Sequence, residues 1–191
     1  QPHYPPLVGT LIITVDMMII TLLTSALLTL LSTATFGSEL IEIKLIAKLD
    51  ETRSYCIDIK GHKERAKVHR GLQAHTCYSY QGKVGVDQAF DKGLVQFGKF
   101  YMPAFEVCME AENHNEGASL MLKACNNTAV QKFDFNSKNQ IKVFGKYDLC
   151  VAVEPGNSRQ GGGGTPPHLI RTLQLKSCSQ TDFKYTAWKI K

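Results

Sequence analysis

The feature that most constrains this chain is a phrase that returns three times. An alternating run carries a cysteine and, two places later, an acid or its replacement: SYCIDIKG around Cys56, FEVCMEAE around Cys108 and YDLCVAVEPG around Cys150. After a polar loop a second strand ends in cysteine, as LQAHTC at Cys77, LMLKAC at Cys125 and LQLKSC at Cys178. Each unit then closes on Gln-x-aromatic or a relic of it: Gln88 to Phe90, Gln131 to Phe133, Thr186 to Trp188. The closing aromatic precedes the next unit's first cysteine by 18 and then by 17 positions. A period this regular marks three copies of one strand-rich unit.

All six cysteines fall between positions 56 and 178. An even count confined to one part of the chain suits disulfides formed in an oxidising compartment. Zinc is the rival reading, but there is no CxxC and the shortest gap between cysteines is 17 positions. Six cysteines allow fifteen pairings, and the sequence alone leaves them open. Asn126, Asn127 and Thr128 form a glycosylation sequon, which fits an extracellular or lumenal location. The net charge is +5, with the lysines scattered singly between strands. That describes a solvated surface, and no basic, aromatic-interleaved motif points to a nucleic-acid partner.

Residues 1–36 are a different kind of sequence. From Leu7 to Phe36 the only ionisable group is Asp16, and Met17 to Phe36 is a run of twenty uncharged residues. At 1.5 Å per residue such a run spans the ~30 Å hydrocarbon core of a bilayer. The basic start and short apolar core of a cleaved leader are missing, so the expectation is an uncleaved transmembrane helix with Asp16 at the interface. Thr10, Thr14, Thr21 and Thr24 recur at helical spacing and offer a face for another transmembrane helix. Residues 37–52, GSELIEIKLIAKLDET, read as a connector, either a juxtamembrane helix or a first strand.

The repeat resembles the ricin-B-type β-trefoil lectins, including the lectin domains of polypeptide GalNAc-transferases, over residues 53–191. The resemblance implies an all-β fold, a β-trefoil of three four-stranded repeats with the closing aromatics in the common core, here behind an N-terminal transmembrane α-helix. It selects one pairing of cysteines: Cys56 with Cys77, Cys108 with Cys125, Cys150 with Cys178. It also assigns a carbohydrate site to unit one. Asp58 stands where the family's carboxylate accepts hydrogen bonds from two sugar hydroxyls, which an acceptor-only group does well. His75 takes the place of the aromatic platform and Gln73 that of the glutamine two residues before it. Asp87 and Gln88 stand for an Asn-Gln pair, with Gln88 holding Asp58 in orientation.

Units two and three depart from this pattern. Unit two has Glu110, Lys123 and Val130 at the corresponding places, and unit three has Ala152, Lys176, Tyr185 and Thr186. Lysine has no ring face for a sugar, so one working site is expected. It takes neither metal nor cofactor, since sites of this type resemble ones that need no cation. The stretch EPGNSRQGGGGTPPHLI lengthens the third cysteine gap to 28 positions and reads as an exposed insertion. Residues 37–53 leave no room for a transferase catalytic domain, and the six histidines show no metal or triad spacing, so no enzyme is expected. The expectation is a single-pass membrane protein that displays one lectin-like domain extracellularly or in a lumen and recognises a galactose- or GalNAc-type glycan or glycoprotein. The alternative is an accessory subunit of a larger membrane complex, with the trefoil as a protein-contact cap.

Overall fold

The computed structural model describes residues 39–191. The expected transmembrane helix over residues 1–36, with Asp16 and the threonine face, lies outside them. Among the described residues no helix is long and apolar enough to cross a membrane.

Unit one holds β1 (Leu40–Ile41), β2 (Ile43–Leu45), β3 (Tyr55–Ile59), β4 (Leu72–Thr76) and β5 (Phe90–Asp91). Unit two holds β6 (Tyr101–Met102), β7 (Val107–Ala111), β8 (Leu120–Lys123) and β9 (Phe133–Phe135). Unit three holds β10 (Ile141–Val143), β11 (Lys146–Val153), β12 (Arg159–Gln160), β13 (Leu169–Arg171), β14 (Leu173–Ser177) and β15 (Trp188–Ile190). The central hairpins β3–β4, β7–β8 and β11–β14 are all antiparallel. Their registers coincide: Cys56 faces His75, Cys108 faces Lys123 and Cys150 faces Lys176. A one-residue slip in any unit would turn its apolar set to the wrong face, so the shared register follows from the shared pattern. The last strand of unit two pairs with the first of unit three at β9–β10, the last of unit three pairs with the second of unit one at β15–β2, and β5 lies beside β6. This threefold order is a β-trefoil.

The segment read as a connector over 37–52 contains two of these strands. Ile43, Lys44 and Leu45 pair with Ile190, Lys189 and Trp188, and Lys44 also faces Cys56. The expected boundary at residue 53 therefore falls inside the sheet. The pairing of Ile43–Leu45 decides for the strand alternative, with Ile43 and Leu45 fully buried and Lys44 half-buried between them.

The three expected disulfides are present, with Cα separations of 4.9, 5.0 and 5.2 Å in chain order. Each ties the two strands of its own hairpin, and no free cysteine is left among the described residues. The closing aromatics Phe90, Phe133 and Trp188 are buried in one core. Phe100 stands between the first two, with ring centroids 6.0 and 5.6 Å away. Where the chain passes from unit one to unit two, Gly98 takes φ +76°, and a Cβ there would overlap the Phe133 carbonyl oxygen.

Residues 154–167 of the insertion are exposed or half-buried, as expected, whereas His168 and Ile170 at its end are buried. Its two arms form the hairpin β12–β13, and β13 extends the sheet on the free edge of β4, with Ile170 opposite His75 and Arg171 opposite Ala74. Unit three therefore lays a loop across the face of unit one that carries the expected site.

Candidate functional site

Two strands position the core of the site. Asp58 on β3 faces Gln73 on β4, one alternation along from the Cys56 and His75 pair. Gln73 Nε2 donates to Asp58 Oδ1 at 2.8 Å, and Gln88 Nε2 donates to Asp58 Oδ2 at 3.0 Å. Each carboxylate oxygen thus keeps one unused acceptor direction. Gln88 comes from the short 3-10 turn Val86–Gln88, which also carries Asp87. Asp87 Oδ2 accepts from the Lys63 backbone N–H, while its Oδ1 has no hydrogen-bond partner.

Gln88 has a second task that explains its return in unit two. Its Oε1 accepts from the backbone N–H of Tyr78 and its Nε2 also donates to the Thr76 carbonyl, clamping the residues on either side of Cys77. Gln131 does the same around Cys125, accepting from Asn126 N and donating to Ala124 O and to Glu110 Oε2 at 2.8 Å. In unit three Thr186 accepts instead from Gln140. The Gln-x-aromatic closure is therefore a fold device first, and only in unit one does it orient an Asp.

The structure brings Asp58, Gln73, His75, Asp87 and Gln88 together and buries all of them. Asp58 is 1% exposed and His75 4% exposed. The cover is aromatic: His168 stands edge-on to His75 at 5.1 Å between ring centroids, Tyr78 lies 5.3 Å from His75, and the Tyr80 hydroxyl meets His168 Nε2 at 2.9 Å. The insertion is latched in that position. Arg53 donates to the Pro166 and Pro167 carbonyls while its guanidinium pairs with Glu51, and Leu169 N donates to the Thr76 hydroxyl. Ser158 and Arg171 both bond Asp50. In this arrangement the His75 ring has no face open to solvent.

Burial and hydrogen bonding shift the titration of these groups. Desolvation, followed by the Asp87 charge, pushes the Asp58 carboxyl well above the usual carboxylate range, and desolvation also raises Asp87. Desolvation lowers His75 to about 4, although its Nδ1 bonds the Thr76 carbonyl, and lowers His168 as well. Glu51 moves the other way: although burial opposes it, bonds from Arg53 and Thr76 hold its carboxyl down at about 2.

The histidine shift predicts a pH effect. A base whose folded pKa is depressed stabilises the fold above its unfolded pKa and loses that contribution as pH falls through the folded value. A fall from 6.5 to about 4 corresponds to roughly 3 kcal/mol. Urea denaturation between pH 7 and 4 is expected to show the parent losing that much more stability than His75→Asn, whose amide keeps a donor near the Thr76 carbonyl. Asp58 acts in the opposite direction, gaining on acidification, but it is common to both proteins. Parallel curves would show that His75 is not held neutral.

Sequence reasoning found the carboxylate and its two amides but missed the cover. His168 and Tyr80 belong to no repeated motif, Tyr78 stands where Asn126 and Ser179 follow the other closing cysteines, and the only signal for His168 was the unmatched length of the third cysteine gap. Elsewhere, Glu110 is half-buried with its Gln131 bond in place, Lys123 beside it is exposed, and the sequon residue Asn126 is exposed.

No protein-family model matches the chain, and no curated protein matches it. Among solved structures, agglutinin from Abrus precatorius is similar at 15% identity and a TM-score of 0.48, covering 82% of this chain and 48% of that one. The chain thus spans about half the length of that agglutinin chain. The β-trefoil lectin of the Vibrio vulnificus hemolysin/cytolysin, solved with N-acetyl-D-lactosamine bound, is similar at 15% identity and a TM-score of 0.47, covering 80% and 95%. The C-terminal domain mutant of an earthworm lectin, in complex with 6'-sialyllactose, gives 16% identity and 0.48, covering 80% and 98%. The trefoil assignment stands on the threefold order within this chain.

Proposed function

We propose that the domain is a non-enzymatic carbohydrate-recognition module whose unit one receives a galactose- or GalNAc-type ring once the unit-three insertion swings away. The observation that carries this reading is the Asp58 carboxylate held between Gln73 and Gln88, with an imidazole at the platform position on the same strand as Gln73. Units two and three keep the register but offer Met121 and Lys123, and Gln174 and Lys176. Opening would rehydrate Asp58, favour its charged form, and expose two acceptor directions to paired hydroxyls. The three disulfides and the apolar run over Leu7 to Phe36 support display on the oxidising side of a membrane behind a single span. Asn126 is then a glycosylation position.

Glycan-array binding by residues 39–191 tests the reading. His168→Gly, which strips the cover from His75, is expected to bind more tightly than the parent. Asp58→Ala on that background is expected to lose a charge-assisted acceptor worth ~1.5–3 kcal/mol, about ten- to a hundredfold in affinity, while Glu110→Ala changes little. If neither the parent nor His168→Gly binds any galactose-type glycan, the unit-one network is only a fold element.

A second reading, an accessory subunit with a protein-contact cap, is favoured by one feature. Phe97, Phe144 and Tyr147, 86%, 50% and 57% exposed, surround an open groove of about 570 Å³ away from unit one's site. Exposed aromatics at such density mark contact surfaces. Phe97→Asp with Phe144→Asp would then release a co-purifying membrane partner without affecting glycan binding.

A further inference from the structure

A second cavity, of about 400 Å³, opens between the β3–β4 turn of unit one and the inserted hairpin of unit three. Its walls carry Lys60, Arg70, Arg159 and Arg171, with Gln73 and Thr172 between them. Only Arg171 is matched by an acid, Asp50 at 2.8 Å. Among the described residues Lys60, Arg70 and Arg159 enter no ion pair, and the side chains of Lys60 and Arg70 make no hydrogen bond. Arg159 gives one bond, Nη2 to Gln73 Oε1 at 3.2 Å.

From this geometry we infer an oxyanion site: the cleft takes a sulfate or phosphate group, carried on a sugar or as the free ion. Three unpaired cations converging on one concavity repel each other, and the Lys60 ammonium feels this, with its pKa lowered by burial first and then by Arg70 and Arg159. A divalent oxyanion cancels that repulsion. Guanidinium forks and a lysine together match its geometry, the forks by bidentate bonds and the lysine as a point charge. Thr172 adds a hydroxyl. A carboxylate would leave part of this donor set unused.

The cleft is wired to the unit-one carboxylate. Arg159 bonds the carbonyl oxygen of the Gln73 amide whose nitrogen bonds Asp58. An anion drawing Arg159 toward itself would free that Oε1, so the two sites share one side chain. Anion binding itself does not require that unit one bind a neutral sugar.

Isothermal titration of the full 191-residue chain in detergent, with sodium sulfate and sodium phosphate against sodium chloride at matched ionic strength, tests the site. Saturable sulfate or phosphate binding is expected, weakened about tenfold or more by Lys60→Gln and by Arg70→Gln, neither of which removes a hydrogen bond from the fold. A sulfated disaccharide and its desulfated counterpart separate the sources. Tighter binding of the sulfated sugar than of inorganic sulfate assigns a glycan carrier, and the reverse assigns the free ion. Chloride matching sulfate, or both variants binding sulfate as the parent does, overturns the inference. Neutral galactose binding in Arg70→Gln reports separately on unit one, so failure of one site is distinguishable from failure of the other.

Discussion

Full reduction of the three disulfides is expected to unfold residues 39–191 at 25 °C. The bonds join residues 21, 17 and 28 positions apart. Chain-entropy reasoning gives about 3 kcal/mol for each loop of that length and about 10 kcal/mol together. A domain of this size has a net stability of about 5–15 kcal/mol, so the bonds amount to most or all of it. The one tryptophan, Trp188, is fully buried, and its emission is the readout. Adding a phosphine reductant should shift that emission to the red as thiols appear. Cys125 is exposed whereas Cys56 and Cys77 are 0% and 1% exposed, so the unit-two bond is expected to open first. Blue emission persisting after six thiols have titrated would show that the core holds without its staples.

Trp188→Ala is expected to cost about 3–5 kcal/mol, the range for emptying a large aromatic site in a packed core. Two connections go with it. Trp188 Nε1 donates to the Val151 carbonyl at 2.8 Å, and Trp188 is opposite Leu45 in the β15–β2 pairing that joins unit three to unit one. Trp188→Phe separates the contributions: it keeps most of the apolar volume and leaves the Val151 carbonyl without that donor, for a loss of about 1–3 kcal/mol. Urea midpoints followed by far-ultraviolet circular dichroism measure both. Equal losses in the two variants would place the value of the residue in its hydrogen bond and not in its bulk.

Much of the fold was legible because it is repeated. A cysteine, a strand and a closing aromatic returning at matched intervals overdetermine one another, and the observed register places Cys56, Cys108 and Cys150 identically. The Asp58, Gln73 and Gln88 network was legible for the same reason, since it sits at repeated positions. What escaped has no counterpart elsewhere in the chain. His168 reaches His75 across ninety-three positions, and Lys60, Arg70 and Arg159 look like scattered surface cations until β13 docks on β4. The strands β1 and β2 are two and three residues long, too short for periodicity to tell strand from helix. The cover on His75 was hidden because part of it, His168, comes from another unit's loop, while Tyr78 comes from unit one itself.

The pairing of β2 with β15 gives the trefoil a seam with mechanical consequences. Glu42 and Lys191 exchange backbone hydrogen bonds of 3.0 Å in both directions, so the point where the chain enters the domain lies beside its last residue. A pull applied at Glu39 loads the β1–β5 pair first and then the β2–β15 seam, and reaches both before the first half-cystine at Cys56. The strands first loaded under tension are therefore β1 and β2, while the three crosslinked hairpins lie beyond them in the chain.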